Sequence, residues 1–290
     1  MALTTAQAFA QFLTDITATD FQTKTFIPNR KQSVDTKLFD KFPGTSDIPY
    51  SEGILMGSAA KSTIVRPFDD IDVLAVFSNN KGAWAKYQYD SKAFIYRIRD
   101  AYNGTSIQQV GTRGQAIRVF YKSGGHVDVA PVFWRGEDIY HLPNGAGGWI
   151  LTAPVTAKTW FSTRNQELGY NLAPLVRLLK SWNRTHSKRM RSFHLETLAA
   201  TVFKTLGSNS RSSLQRFFEW APDRLYVDDP GGQGGDLSSY LTSQGRTELK
   251  AVLASAAERA KKANDAEARG DHAEAKRLWK IVLGDDFPTN

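Results

Sequence analysis

Apolar positions recur with two different periods along this chain, and the change of period divides it. Near the N-terminus, Phe9, Phe12, Leu13 and Ile16 follow a three-and-four spacing that predicts an amphipathic helix. A polar segment follows to about Tyr50, with Lys24, Arg30, Lys31 and Lys37 in a second helix or a loop. The stretch DIDVLAVF, residues 70–77, is rich in β-branched and aromatic residues. It lies between Pro67 and the polar SNNKG, and predicts a strand. Residues 84–103 return to a helical period, with Tyr87, Phe94, Ile98 and Tyr102 able to share a face. AIRVFYK and HVDVAPVFW predict two strands joined by a hairpin-like turn at Ser123-Gly124-Gly125.

Beyond PNGAGGWILTAP the helical period takes over. LAPLVRLLKSWNR and FHLETLAATVFKTL predict long helices within residues 160–207. GGQGGD (231–236) and NGAGGW (144–149) read as flexible connections and match no phosphate-loop pattern. The final segment predicts two helices broken near Arg269-Gly270-Asp271. The expected class is therefore α+β. A sheet-containing lobe covers 1–155 and a helical lobe covers 156–290, with the N-terminal helix a candidate to pack on the latter.

Composition narrows the chemistry. The chain of 290 residues is long enough for one large domain or two packed lobes, with no internal repeat. Hydrophobic content of 41% and charged content of 23% are those of an ordinary globular protein. With no cysteine, disulfides, zinc ribbons and thiol nucleophiles are excluded. No apolar run reaches the ~18 residues of a membrane span, and the N-terminus lacks the pattern of a signal peptide, so a cytoplasmic location is expected. The net charge of +8 favours a polyanionic partner, or serves solubility alone.

The candidate chemistry begins at Asp70 and Asp72. Residues two apart on a strand face the same way, so these carboxylates project together while Ile71 and Val73 point into the core. Two close carboxylates repel unless a cation sits between them, and hard oxygen ligands suit Mg²⁺. Asp128, flanked by Val127 and Val129, repeats the theme. If its strand lies beside the first, three acids converge, enough for two Mg²⁺ ions. Asp69 has the opposite strand parity and is not expected to join them, unless a loop brings it close. Upstream, Gly57-Ser58 precedes AAKST, where a helix could start and direct N–H groups at a phosphate. Taken separately, a D-x-D pair or a Gly-Ser is more often a solvated strand end or a plain turn.

Gly-Ser, a short helix, Asp-x-Asp on a strand and a later strand Asp together resemble the DNA polymerase β-like nucleotidyltransferases. RPFDDIDVL, HVDVAPVF, GGWI, LVRLLKSWNR, SFHLETLA and AKRLWKIVLGDDFP resemble the bacterial cGAS/DncV-like group, over roughly residues 50–290. That resemblance implies a nucleotidyltransferase sheet lobe, a helical lobe and an active site in the cleft between them. It implies Mg²⁺ at Asp70, Asp72 and Asp128 (two ions, with Mn²⁺ a substitute), and donor phosphates at Gly57 and Ser58. It also implies a triphosphate lysine at Lys180, with Arg177 the rival. Ser192 would lie at the phosphates, and Phe193 would stack on a base or sit in the core. Arg177, Lys180, Arg184 and Lys188 form one basic face by their spacing, either solvated or opposite a triphosphate. His194 reads as structural, and the remaining histidines show no metal-ligand spacing.

The implied activity is template-independent synthesis of a cyclic di- or trinucleotide from ribonucleoside triphosphates, in antiphage signalling. The implied partners are those substrates, regulatory proteins, and an effector reached only through the product, with no membrane and no obligatory nucleic acid. Transfer to RNA ends or to a protein, or an inactive nucleotide-binding scaffold, remain alternatives. The scaffold is disfavoured by the presence of all three acids.

Overall fold

The computed structural model describes residues 2–68, 70–104 and 106–290. Among these, a mixed sheet has the order β1-β2-β5-β4-β3, extended from β5 by β6 and β7. The strands are β1 (Tyr50–Leu55), β2 (Asp70–Phe77), β3 (Ile107–Arg113), β4 (Ala116–Tyr121), β5 (His126–Gly136), β6 (Ile139–Pro143) and β7 (Trp149–Thr152). β2 and β5 run parallel, in a register that places Asp70 opposite His126 and Asp72 opposite Asp128. The predicted hairpin closes β4 on β5 and pairs Arg118 with Asp128. β1, β3, β6 and β7 were not expected as strands. IQQVGTR, for one, has too few β-branched or aromatic residues to stand out alone.

Strand parity works as the pattern requires. Ile71, Val73, Ala75 and Phe77 pack into a core with Val34 and Leu38 of α2 (Ile27–Lys41) and Phe94 and Ile98 of α5 (Ser91–Arg99). On the opposite face, Leu74 and Val76 are covered together with Val132 and Tyr140. Only the first turn of that face stays open, and it carries Asp70 and Asp72. The helix expected over 84–103 is two: α4 (Ala83–Tyr87) and α5. Asp90 separates them, its carboxylate capping α5 by accepting from Ala93 N at 3.0 Å. The helix after Met56, α3 (Gly57–Ala60), is a single turn.

The helical lobe holds α6 (Pro154–Glu167), α7 (Leu172–Thr185), α8 (Ser192–Val202), α9 (Ser210–Trp220), α10 (Ser243–Ala268) and α11 (His272–Leu283). The predicted break before α11 is present: Gly270 takes a left-handed φ of 80° and Asp271 caps Glu274 N. The first helix, α1 (Thr5–Ile16), packs here. Phe9 lies 5.0 Å from Trp279 and 5.1 Å from Phe287, ring centre to ring centre.

The expected basic face is only partly solvated: Arg184 is exposed, and Lys188, expected on the same helical face, is exposed beyond the end of α7 at Thr185. Arg177 donates to Ser62 O at 2.7 Å, Lys180 to Thr63 O at 3.1 Å, and Arg184 to Val65 O and Arg66 O at 3.3 Å. The helix thus grips carbonyl after carbonyl of the segment leading into β2. That grip joins the two lobes at the point where the acidic strand begins.

Candidate active site

Between the lobes lies a cavity of about 980 Å³, at the top of the ordinary range for small-molecule sites, about 300–1,000 Å³. Asp70 and Asp72 form part of its sheet-side wall. Burial, followed by the charges of Asp70 and Asp128, pushes the Asp72 carboxyl up to about 6. The charges of Lys180 and Arg118 act against that rise without cancelling it. Gly57 is the only residue type this approach allows. Its φ is +61°, and a Cβ there would fall 2.1 Å from Asp72 Oδ2. Met56 N, just before it, donates to Asp72 O at 2.8 Å.

Asp128 stands beside Asp72, as the expected pairing of strands requires, but its carboxylate is already engaged. Arg118 donates to both oxygens, Nε at 2.7 Å and Nη2 at 2.5 Å. Arg118 and His126 line the cavity and Asp128 does not. The three acids thus converge as the strand pairing implied, with Asp128 held by a guanidinium that offsets part of their charge. Asp69 lies outside the described residues. Among the described residues, no three His, Asp or Glu are grouped to hold an ion. The Asp70–Asp72 pair nonetheless suits a hard divalent cation: oxygen donors on one open strand face, one of them held at a raised pKa by burial and like charge.

On the helical side, Lys180, Ser192 and Phe193 line the cavity, as does Ser58 across from them. Phe193 is half-buried rather than core, and Lys61 Nζ sits 4.7 Å from its ring centre. Arg177 does not line the cavity, because its guanidinium is spent on Ser62 O; of the two rivals only Lys180 reaches the cavity wall. His194 is structural. It is buried between Leu225 O, 2.7 Å from Nε2, and the Tyr240 hydroxyl, 3.1 Å from Nδ1.

Sequence reasoning missed Lys61, Arg118, His126 and Glu196, which all line the cavity. For Arg118 and His126 a signal existed. A hairpin centred on Ser123 pairs position 118 with 128 and 120 with 126, which brings Arg118 to Asp128. It also leaves His126 on the face of Asp128, two residues away. Lys61 and Glu196 gave none, because only the docking of α8 against the residues after α3 joins them.

The Second Messenger Oligonucleotide or Dinucleotide Synthetase domain family matches residues 3–165. The chain belongs to this family. It is a nucleotidyltransferase of the synthetase type, and its α+β fold is that of the cGAS/DncV-like enzymes. A Bacillus cereus (strain VD146) protein named a probable cyclic nucleotide synthase is 26% identical, over 82% of this chain and 83% of its own. A cyclic AMP-AMP-AMP synthase of Acinetobacter sp. is 24% identical, over 99% of this chain and 86% of its own. Among solved structures, Escherichia coli MS115-1 CdnC in complex with HORMA-deltaN has a TM-score of 0.79 at 21% identity, covering 97% of each chain. The same CdnC with ATP also gives 0.79, covering 99% of each. No helix among the described residues of this synthetase is long and apolar enough to cross a membrane.

Proposed function

We propose that this chain joins ribonucleoside triphosphates into a cyclic di- or trinucleotide signal, in a bacterial antiphage system of the CBASS type, in the cytoplasm. The observation that carries the reading is one cavity with an acid pair on its sheet wall and a lysine and an aromatic ring on its helical wall. Asp70 and Asp72 would hold Mg²⁺, or Mn²⁺ in its place. Asp128 would join them when Arg118 releases it. The bound cation would make a ribose hydroxyl more acidic and neutralise charge on the departing pyrophosphate.

The chain's own groups do the positioning. Gly57 leaves Asp72 room beside the turn. The Ser58 and Ser192 hydroxyls donate to phosphate oxygens, and Lys180 offsets their charge. Phe193 stacks on a base, an interaction tolerant of base identity. In the reaction, the acceptor hydroxyl oxygen bonds to the α-phosphorus of the donor. The bond to the β-phosphate oxygen breaks, pyrophosphate leaves, and the hydroxyl proton passes to solvent. A second attack within the same cavity closes the ring.

The name of the Acinetobacter relative puts ATP first among the substrates to try. The CdnC complex supports a protein regulator for this chain too. The test is incubation of the purified chain with each labelled ribonucleoside triphosphate and Mg²⁺ or Mn²⁺, then phosphatase treatment and separation. A phosphatase-resistant di- or trinucleotide, absent with the Asp70→Asn/Asp72→Asn variant, is the expected result. Label transferred only to added RNA or protein would overturn it in favour of a different acceptor.

A further inference from the structure

The cavity contains a buried carboxylate that no part of the reaction above uses. Glu196, on α8, is 3% exposed. Its Oε2 is 2.5 Å from Lys61 Nζ and its Oε1 is 2.5 Å from Lys180 Nζ. Thr63 donates its hydroxyl to Oε1 at 2.8 Å, and Lys180 reaches the same Thr63 at its carbonyl and hydroxyl oxygens, both at 3.1 Å. One acid thus serves two ammonium groups from opposite lobes: Lys61 follows the Gly57-Ser58 turn, and Lys180 lies on α7. The lysine side chains are only 9% and 11% exposed, yet both line the cavity.

We propose that Glu196 is a positioning residue, which sets Lys61 and Lys180 side by side as a paired cation cradle for the phosphates of the nucleotide substrate. This rests on the function proposed above.

Three features of the cluster carry the inference. First, its charge does not cancel: two lysines against one carboxylate leave a surplus positive charge facing the cavity. A cluster serving stability alone would pair one to one, or use apolar residues, since burying ions is costly. Second, the lysines take opposite oxygens of one carboxylate, so their separation is set by the acid rather than by two flexible side chains. That preorganisation lowers the cost of binding a multiply charged group. Third, Lys61 is steadied on its other side by the rings of Phe193 at 4.7 Å and Phe161 at 5.7 Å. The cation is thereby linked to the ring proposed to stack on the base. Burial presses Lys180 below the usual lysine range, and Glu196 works against that pressure.

The test compares the affinity of the full-length chain for the α,β-methylene analogue of ATP and for adenosine, by calorimetry, in wild type, Glu196→Gln and Lys61→Gln. Glu196→Gln should weaken the triphosphate by about tenfold or more and leave adenosine within about twofold. A role in stability alone would lower the melting temperature without separating the two ligands. Lys61→Gln leaves Glu196 paired with Lys180 and Thr63, and should weaken the triphosphate by several-fold. The double variant should be little worse than Glu196→Gln, because the two act as one unit. If Glu196→Gln does not fold, Lys61→Gln decides alone. Triphosphate affinity unchanged in the folded variants overturns the inference and leaves the functional reading standing. Failure of wild type to bind the triphosphate overturns both.

Discussion

The two walls of the cleft are held in place by different means. On the sheet wall, Asp70 and Asp72 come from one strand, and the pleat alone sets their spacing. On the helical wall the cations come from several places: Lys180 and Arg184 from α7, Lys188 and Arg191 from the residues after it, and Lys61 from the other lobe. The acid wall is a property of local backbone, whereas the basic wall is a property of how the lobes dock. Damage to the first should be deep and local, and damage to the second graded and shared.

The largest expected effect is on the acid wall. Asp70→Asn/Asp72→Asn should lower turnover by at least about 10³-fold, read as product per mole of enzyme, with circular dichroism unchanged. Full activity in that variant would remove the acid wall from the chemistry. Gly57→Ala tests the same wall from behind. The left-handed φ and the approach of Asp72 Oδ2 should together cost about 2–4 kcal/mol and reduce turnover by about 10²-fold. A variant as stable and active as wild type would mean that the turn gives way freely. On the opposite wall, Phe193→Ala should raise KM by about tenfold, in keeping with a stacking contribution of about 1–3 kcal/mol, with a much smaller change in kcat. An equal fall in kcat with KM constant would make the ring a packing residue.

The smallest effect is one of stability and runs opposite to activity. Asp72 titrates near 6 in the fold against 3.8 for a free carboxyl. The folded state therefore binds the proton more tightly, and its stability falls as pH rises from about 4 through 6. Above that range the charged, buried carboxylate costs the fold about 1–3 kcal/mol. In EDTA at pH 8, Asp72→Asn should melt a few degrees above wild type, and the gap should vanish near pH 4. His186 and His194 add the opposite slope. Burial lowers both, so their contribution is present above the usual histidine pKa and is lost as pH falls through the depressed values.

The same contrast explains what was legible in the chain. β2, the β4–β5 hairpin, the helical period after residue 154 and the break at Gly270 are local patterns, and the residues alone reveal them. Asp70, Asp72, Ser58 and Gly57 follow from strand parity and a glycine turn. Lys180 was legible only as one of two rivals. The choice between it and Arg177 depends on which side chain meets Ser62 O, a contact between residues 115 apart. Glu196 was not legible at all. Within α8 it stands among Leu195, Thr197 and Leu198 as one acid in an apolar run, and its partners lie more than a hundred residues away or on another helix. Arg118 sits between these cases, a pairing implied by a predicted hairpin but not drawn from it.

The placement of α1 has a consequence for how the molecule is made. Its Phe9 and Phe12 pack against Phe287, and Leu3 N reaches Asn290 O at 3.4 Å. The packing of α1 is therefore incomplete until Phe287 has been translated. At synthesis rates of about 5–20 residues per second, that wait is on the order of 15–60 s. During it, the apolar stripe of α1 has α7 to pack on but lacks its partners on α11 and Phe287, and that side is exposed to chaperones and to other nascent chains. The sheet can assemble in that interval. The helical wall stays incomplete until α11 and Phe287 have been translated.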